Sequence, residues 1–194
     1  MLAAVILSGG ESRRMGSPKA LLTFQGKPFL EHLLEVTRHP KISITRVVLG
    51  AGAEEIQRRL ALPEDSVVLN PDWENGQLSS IQTAIRSLPR TGLDGIILCL
   101  IDHPLISAVL VEALIQEFYA RGKHIVLPTY KGKRGHPVIF ASSLFEELLS
   151  ASPKKGARQV VWAHPKEIAE VPTEEQGVIL NLNDPEALRR AMES

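Results

Sequence analysis

Residues 1–19 read MLAAVILSGGESRRMGSPK and join a short apolar segment to a loop that contains three glycines. Every residue from 2 to 7 is apolar, which is typical of a strand that is covered on both faces of a sheet. The segment is much shorter than a membrane span and lacks the basic start of a signal peptide. We therefore predict a buried first strand at residues 3–7, with the glycine loop at its carboxyl end.

Further apolar runs and amphipathic segments alternate along the rest of the chain. Short runs rich in β-branched residues predict strands, and longer segments with apolar residues at helical spacing predict helices. The predicted strands are 3–7, 46–49, 66–69, 95–101, 125–130 and 137–141, and the predicted helices are 29–37, 54–60, 78–88, 107–119, 142–149 and 185–192.

This alternation predicts an α/β fold, a Rossmann-like doubly wound sheet whose strands are mostly parallel. Residues 131–135 separate two short strands as a hairpin turn would, so one antiparallel strand should join the sheet. Ser142 and Asp184 are predicted to cap the helices that follow them. The length of 194 residues predicts a single domain, 1–194. Ligands of such sheets bind beyond the carboxyl ends of the strands.

The overall charge of the chain excludes some classes of partner. Lys plus Arg and Asp plus Glu each total 22, so the formal net charge at pH 7 is zero. This balance argues against nucleic acid and membrane surfaces as partners. The single cysteine, Cys99, lies in an apolar run, which excludes a disulfide framework and predicts a buried thiol. We expect a cytoplasmic protein.

The loop after the first strand has the composition of an anion-binding segment. Gly9 and Gly10 let the backbone approach a ligand and point its amides at it. Arg14 and Lys19 add positive charge that suits phosphate groups. The P-loop pattern G-x-x-x-x-G-K-[ST] is absent, and so is the G-x-G-x-x-G pattern of dinucleotide-binding oxidoreductases. A different phosphate loop is therefore indicated.

Two later segments could complete a phosphate site. Asp102 follows the predicted strand 95–101, where a carboxylate can hold Mg²⁺ beside phosphates, although a turn or helix-capping aspartate would give the same pattern. Gly76 and Ser80 lie where a predicted helix begins, and their amides and hydroxyls can bind an anion or a base edge or simply cap the helix.

The glycine loop resembles the signature of a known family. Gly10-x-Ser12-x-Arg14-Met15-Gly16-x-x-Lys19-x-Leu21-Leu22 is similar to the loop of the molybdenum-cofactor nucleotidyltransferases. The resemblance implies that the loop wraps the triphosphate of an NTP and that Arg14 and Lys19 neutralise it. The residues that the resemblance places at the nucleotide are Leu7, Ser8, Gly9, Gly10, Arg14, Gly16, Lys19, Gly76 and Ser80.

Two segments resemble the metal-binding motifs of that family. Leu100-Ile101-Asp102-His103-Pro104 is similar to its Asp-Gln-Pro motif, with His103 in place of glutamine. Residues 181–186 are similar to its C-terminal Asn-x-Asn-Thr-Pro-Glu element. The resemblance implies Mg²⁺ as the cofactor, with Asp102 and Asn183 as its protein ligands.

Two further segments favour the cytidylyltransferase branch of the family. Residues 134–140 closely resemble that branch, which implies that His136 lies on the acceptor side. Residues 75–81 resemble its Gly-Met-x-x-Ser-Leu segment, with Gln77 in place of methionine. Gly156-Ala157-Arg158 matches part of another family element, in which Pro153 and Lys154 replace Gly and Asp.

The resemblance implies transfer of CMP from CTP to the phosphate of a molybdopterin-type acceptor, with release of pyrophosphate. Two other enzymes remain open, a GTP-dependent molybdenum-cofactor guanylyltransferase and a sugar-1-phosphate nucleotidyltransferase. A non-catalytic nucleotide-binding regulatory module on the same fold is the alternative from another class. The implied catalytic residues are Arg14, Lys19 and Asp102, and molybdoenzyme maturation factors are candidate partners.

Overall fold

A computed structural model of the chain describes residues 1–12 and 15–193. The main strands are β1 (Leu2–Ser8), β4 (Ile42–Leu49), β5 (Val67–Leu69), β6 (Gly95–Leu100), β7 (Ile125–Tyr130), β9 (Val138–Ala141) and β10 (Ile168–Pro172), and the two-residue strands are β2 (Thr23–Phe24), β3 (Lys27–Pro28) and β8 (Lys133–Arg134). The helices are α1 (Phe29–Val36), α2 (Ala53–Leu60), α3 (Gln77–Ser87), α4 (Ala108–Arg121), α5 (Phe145–Ser150), α6 (Arg158–Ala163) and α7 (Pro185–Glu193).

The main sheet has the strand order β10-β7-β9-β6-β1-β4-β5, with β8 paired to β7. β1 lies near its middle and is parallel to both neighbours, β4 and β6. β9 is inserted between β6 and β7 and is antiparallel to both. The strands that follow β1 in the chain, β4 and β5, lie on one side of it, whereas β6 lies on the other side. Ligands of doubly wound sheets bind at such a change in the direction of strand order.

The residues of β1 alternate between two apolar cores. Leu2, Ala4 and Ile6 pack with the core that includes α1 and α4. Ala3, Val5 and Leu7 pack with the core that includes α3, on the opposite face. Because side chains of a strand alternate between faces, a strand that is apolar throughout must be covered on both. The helices on the two faces therefore fix the central strands rigidly beneath the loops at their carboxyl ends.

The α/β fold class predicted from the sequence is confirmed, as a mostly parallel sheet with helices on both faces. The turn that joins β7 to β8 consists of Lys131 and Gly132, which both have positive φ, as a type I′ hairpin requires. It is shorter than the predicted turn at 131–135, because Lys133 and Arg134 pair with β7. Asp184 caps α7 as predicted, since its carboxylate accepts from the Ala187 amide at 2.8 Å. The predicted cap at Ser142 is wrong, because that residue begins a 3-10 turn without a side-chain cap bond.

Some elements were not predicted from the sequence. They are the β2–β3 hairpin, the six-residue helix α6 and the edge strand β10. β10 ends in Pro172, and proline is tolerated there because an edge strand does not need every amide for pairing. In the described part of the chain, no helix is long and apolar enough to cross a membrane.

Two glycines allow loops to pack closely near the carboxyl end of the sheet. A Cβ on Gly177 would lie 1.8 Å from the Leu105 carbonyl oxygen, and one on Gly135 would lie 2.3 Å from that of Val178. The His136 amide then donates to the Val178 carbonyl at 2.8 Å. This packing fixes the segment around His136 against the segment that leads to Asn183.

Replacing Gly177 with alanine should destabilise the fold by about 3 kcal/mol, because the new methyl group overlaps a backbone carbonyl that cannot move freely. Thermal unfolding followed by circular dichroism measures the change. Gly10→Ala is the matched control, since a Cβ there has no atom within 4 Å. Equal melting temperatures for the two variants would show that the Gly177 segment is loosely packed.

Candidate nucleotide and metal site

A cleft of about 570 Å³ opens at the carboxyl ends of β1 and β6. Gly9 and Gly10 follow β1, and Asp102 follows β6, so the pairing of these two strands places the glycine loop beside the carboxylate. Glycine backbone on one wall and a carboxylate on the other can receive the phosphates and the metal ion of a nucleotide. We call this space the nucleotide cleft.

The glycine loop is held by its own hydrogen bonds. The Ser12 carbonyl accepts from the Met15 amide at 2.8 Å, and the Ser12 hydroxyl accepts from the Lys19 amide at 3.2 Å. Lys19 then begins a 3-10 turn that ends at Leu21, with the buried Ala20 anchoring it in the core. The loop thus delivers the Lys19 side chain to the cleft from a fixed position.

The Lys19 ammonium lies between the two predicted metal ligands. Its Nζ donates to Asn183 Oδ1 at 2.5 Å and lies 3.9 Å from Asp102 Oδ2. Asn183 reaches this position because the Leu182 amide donates to the Asp102 carbonyl at 2.8 Å. The side-chain oxygens of Asn183 and Asp102, which lie 164 and 83 residues after Lys19 in the chain, therefore converge on its positive charge.

This donor set fits Mg²⁺. A carboxylate and a neutral amide oxygen are hard oxygen ligands, and Mg²⁺ completes its shell with phosphate oxygens and water. The Lys19 ammonium shows that the two oxygens can share a cation. Within residues 1–12 and 15–193, no group of three or more His, Cys, Asp or Glu could hold a metal ion. A zinc-type site of nitrogen and sulfur ligands is therefore not formed by these residues.

The opposite end of the cleft is lined by backbone and hydroxyl groups where α3 begins. Gly76 has φ +90°, a conformation that favours glycine, and Ser80 faces the cleft with its hydroxyl accepting from Asn70 Nδ2 at 2.9 Å. Ser79 instead donates its hydroxyl to the Gly76 and Asp72 carbonyls. Ser80 can thus donate to a base, whereas the Ser79 hydroxyl is engaged with backbone carbonyls before α3.

Gly9, Gly50 and Trp73 pack closely at this end. A Cβ on Gly9 would lie 3.0 Å from the Ser80 hydroxyl, and one on Gly50 would lie 2.6 Å from Trp73. Trp73 is partly buried and lines the cleft. The absence of side chains on the two glycines lets Trp73 pack directly against the backbone of the glycine loop.

Two histidines line the nucleotide cleft side by side. The rings of His103 and His136 lie 5.0 Å apart between centroids. Burial lowers the pKa of His136 to about 3, with smaller effects from His103 and Arg158, and burial also lowers the pKa of His103. Both rings are therefore neutral at neutral pH. In the described part of the chain, His136 Nδ1 is buried without a hydrogen-bond partner.

The structure brings most of the predicted site residues to the nucleotide cleft. Ser8 is buried in β1, and Gly16 is exposed at a turn, so neither lines it. Arg14 lies outside the described residues. Asn183 does not itself line the cleft, but it accepts a hydrogen bond from Lys19, which does. The predicted residues that line the cleft are Leu7, Gly9, Gly10, Lys19, Gly76, Ser80, Asp102 and His136.

Sequence reasoning did not identify Trp73 and Asn70 as parts of this site. Neither residue belongs to a motif. Trp73 packs on Gly9 and Gly50, which are distant in the chain, and Asn70 donates to Ser79 and Ser80 on the following helix. Asn70 lies just beyond the carboxyl end of β5, which was a signal that could have placed it near the other strand ends.

Comparison with known proteins identifies the family. The MobA-like NTP transferase domain matches residues 4–168. The molybdenum cofactor guanylyltransferase of Shewanella woodyi is 25% identical over 196 residues, which covers 98% of this chain and 95% of that protein. Nicotine blue oxidoreductase of Paenarthrobacter nicotinovorans is 28% identical over 166 residues, covering 81% and 79%.

A solved structure matches the whole fold. The crystal structure of Rv0371c from Mycobacterium tuberculosis H37Rv, a complex with manganese, superposes with a TM-score of 0.78 at 25% identity, covering 100% of this chain and 98% of that one. The residues matched by the family run from β1 to the start of β10, and they include the glycine loop and Asp102. This chain therefore belongs to the family of MobA-like NTP transferases.

Proposed function

We propose that the protein is a Mg²⁺-dependent cytidylyltransferase that moves CMP from CTP to the phosphate of a molybdopterin-type acceptor and releases pyrophosphate. The observation that carries the proposal is the convergence of Lys19, Asp102 and Asn183 beside the glycine loop. The family match and the likeness to a molybdenum cofactor guanylyltransferase support this class of reaction and acceptor.

The residues of the cleft have distinct tasks in this reaction. A phosphate nucleophile is ionised at neutral pH, so the attack on the α-phosphorus needs positioning and charge neutralisation more than a general base. Backbone amides of Gly9 and Gly10 and the Lys19 ammonium hold the triphosphate. Mg²⁺, when bound, would supply positive charge that neutralises the negative charge developing during the transfer. Asp102 and Asn183 hold it, and Arg14 adds a further cation.

The base-binding end of the cleft supports CTP. A site that is built to hydrogen-bond one base rejects another because its buried polar groups are left unpaired. Ser80 presents a hydroxyl, Gln77 presents a backbone amide at the start of α3, and Trp73 limits the width. A pyrimidine is smaller than a purine, and Trp73 at this end of the cleft leaves less room for the larger base, which favours cytosine.

An oxidoreductase is disfavoured although one relative carries that name. The loop after β1 lacks the G-x-G-x-x-G pattern with which dinucleotide-binding folds hold a pyrophosphate. A silent nucleotide-binding module is disfavoured by the Asp102 and Asn183 pair, because binding of a nucleotide alone does not require a metal carboxylate at a strand end.

CTP should be incorporated in preference to GTP when the two compete at equal concentration with molybdopterin as acceptor. The physical reason is the loss of paired hydrogen bonds and the steric conflict when a purine enters the space beside Trp73. The measurement is chromatographic separation of the cytosine and guanine dinucleotide products, with pyrophosphate release as the rate. Gly9→Ala places a methyl group 3.0 Å from the Ser80 hydroxyl and should lower GTP use at least as strongly as CTP use.

Preferential incorporation of guanine would overturn the CTP assignment and leave the family and the metal ligands in place. Release of pyrophosphate with a sugar 1-phosphate, and none with molybdopterin, would reject the acceptor. Saturable NTP binding with no pyrophosphate release from any acceptor would favour the silent binding module instead.

A further inference from the structure

A second cleft of about 590 Å³ continues from the nucleotide cleft. The two share Gln77, Arg134, Gly135, His136 and Arg158. Its floor is apolar and is formed by α3 and three neighbouring strands, through Leu78, Ile81, Leu98, Leu127, Val138 and Phe140. An apolar floor of this kind suits a planar ring system better than a sugar, whose hydroxyls would be left without partners.

The rim of the second cleft is positively charged. Lys154, Lys155 and Arg158 border it, and its lining, all within the described residues, contains no Asp or Glu. Among the described residues, these three cations form no ion pair. Because the whole chain has zero net charge, this concentration of positive charge is local. It complements an anion, since cations on one rim raise the local concentration of negative ligands.

One aromatic side chain completes the rim. Trp162 borders the second cleft and is 65% exposed, which is unusual for a large apolar side chain. It lies one helical turn after Arg158 on α6, so the two share a face. The lysines precede α6 on a turn that is held by bonds from the Lys155 and Gly156 amides to the Ser152 carbonyl, both 3.0 Å. The charges and the ring are therefore presented together from residues 153–162.

We propose that the second cleft binds the distal part of the acceptor, a planar heterocycle that carries an anionic group in addition to the phosphate that reacts. This inference rests on the proposed nucleotidyl transfer. The ring lies on the apolar floor beside Trp162, and Lys154, with Lys155 and Arg158, holds the second negative group. Lys154 and Trp162 are then specificity-determining residues for the acceptor, and the nucleotide does not touch them.

Steady-state transfer from CTP to molybdopterin tests these two residues. Lys154→Glu and Trp162→Ala should each raise the KM for the acceptor about tenfold or more, because charge complementarity or ring stacking is lost. The KM for CTP should stay within about twofold of the wild-type value. Trp162→Phe keeps an aromatic face and should recover most of the acceptor affinity. Lys166→Glu makes the same charge change at an exposed lysine outside both clefts and should behave as the wild type.

A binding measurement tests the cleft without any transfer reaction. The chain has two tryptophans, so Trp73→Phe leaves Trp162 as the sole indole fluorophore. In that background, 6-carboxypterin, a planar and anionic probe, should quench the emission saturably. Uncharged 6-methylpterin should bind about tenfold more weakly, and adding Lys154→Glu should reduce the preference for the carboxylate.

The two experiments separate the inference from the proposed function. Quenching by 6-carboxypterin without transfer to molybdopterin would reject the proposed acceptor reaction and support the second cleft as a site for planar anions. Transfer with unchanged acceptor KM in Lys154→Glu and Trp162→Ala, or absence of saturable quenching by the anionic probe, would overturn the inference.

Discussion

Replacing Asp102 with asparagine should lower the rate of nucleotidyl transfer by about 10²-fold or more while the protein folds normally. Asp102 places its carboxylate 3.9 Å from the Lys19 ammonium, which also donates to Asn183. In the proposed reaction its negative charge would hold a divalent cation that neutralises charge in the transition state, so its loss should raise the barrier more than it weakens ground-state binding. Pyrophosphate release at saturating CTP and Mg²⁺ measures the effect.

Asp184→Asn is the matched control for this variant. Asp184 lies beside Asn183, but its carboxylate caps α7, and asparagine is an equally good cap. Its activity and melting temperature should therefore match those of the wild type. Near-wild-type turnover of Asp102→Asn at saturating Mg²⁺ would remove Asp102 from the metal site. A shared loss in both variants would point to an effect on the C-terminal segment.

The sheet could be predicted from the sequence because its central strands carry their own signal. β1 and β6 consist almost wholly of apolar residues, and each is followed by a loop with glycines or charged residues. The apolar run and the loop after it therefore both indicate a buried central strand. β10 gave a weaker signal, since its five residues include Glu170 and Pro172 at an exposed edge. α6 is six residues long, which is too short for helical periodicity to be distinguished from a turn.

The site was predicted in part for a similar reason. Lys19 and Asp102 belong to continuous motifs, whereas their approach to Asn183 depends on the backbone bond from Leu182 to Asp102. Trp73 enters the site through packing on Gly9 and Gly50, three residues that no local pattern connects. In the sequence, Pro153 and Lys154 are recognisable only as departures from a family element. In the structure, both residues border the second cleft, and Lys154 is one of the cations on its rim. This cleft forms only when α6 packs beside the sheet, so no local pattern in the sequence predicts it.

Removing the Lys19 side chain should weaken NTP binding by about 1.5–3 kcal/mol, the range for hydrogen bonds to charged groups, which corresponds to roughly 10- to 150-fold in Kd. The Lys19 side chain is 14% exposed and its ammonium lies at the Asp102 carboxylate, so its charge acts in a partly desolvated cleft. Lys19→Ala should be measured by isothermal titration calorimetry with CTP at fixed Mg²⁺ and no acceptor, so that binding is separated from transfer.

Lys27→Ala provides the comparison, because Lys27 lies in the exposed β2–β3 hairpin and pairs with Glu35 at the surface, where an ion pair contributes little. Its CTP affinity should equal that of the wild type. The Lys19 variant has a second effect to separate, since the oxygens of Asp102 and Asn183 lose the cation between them and become more available to Mg²⁺. Titration of Mg²⁺ alone should therefore show equal or tighter binding in Lys19→Ala. Weaker CTP binding together with unimpaired Mg²⁺ binding assigns Lys19 to the triphosphate, whereas unchanged CTP affinity contradicts that assignment.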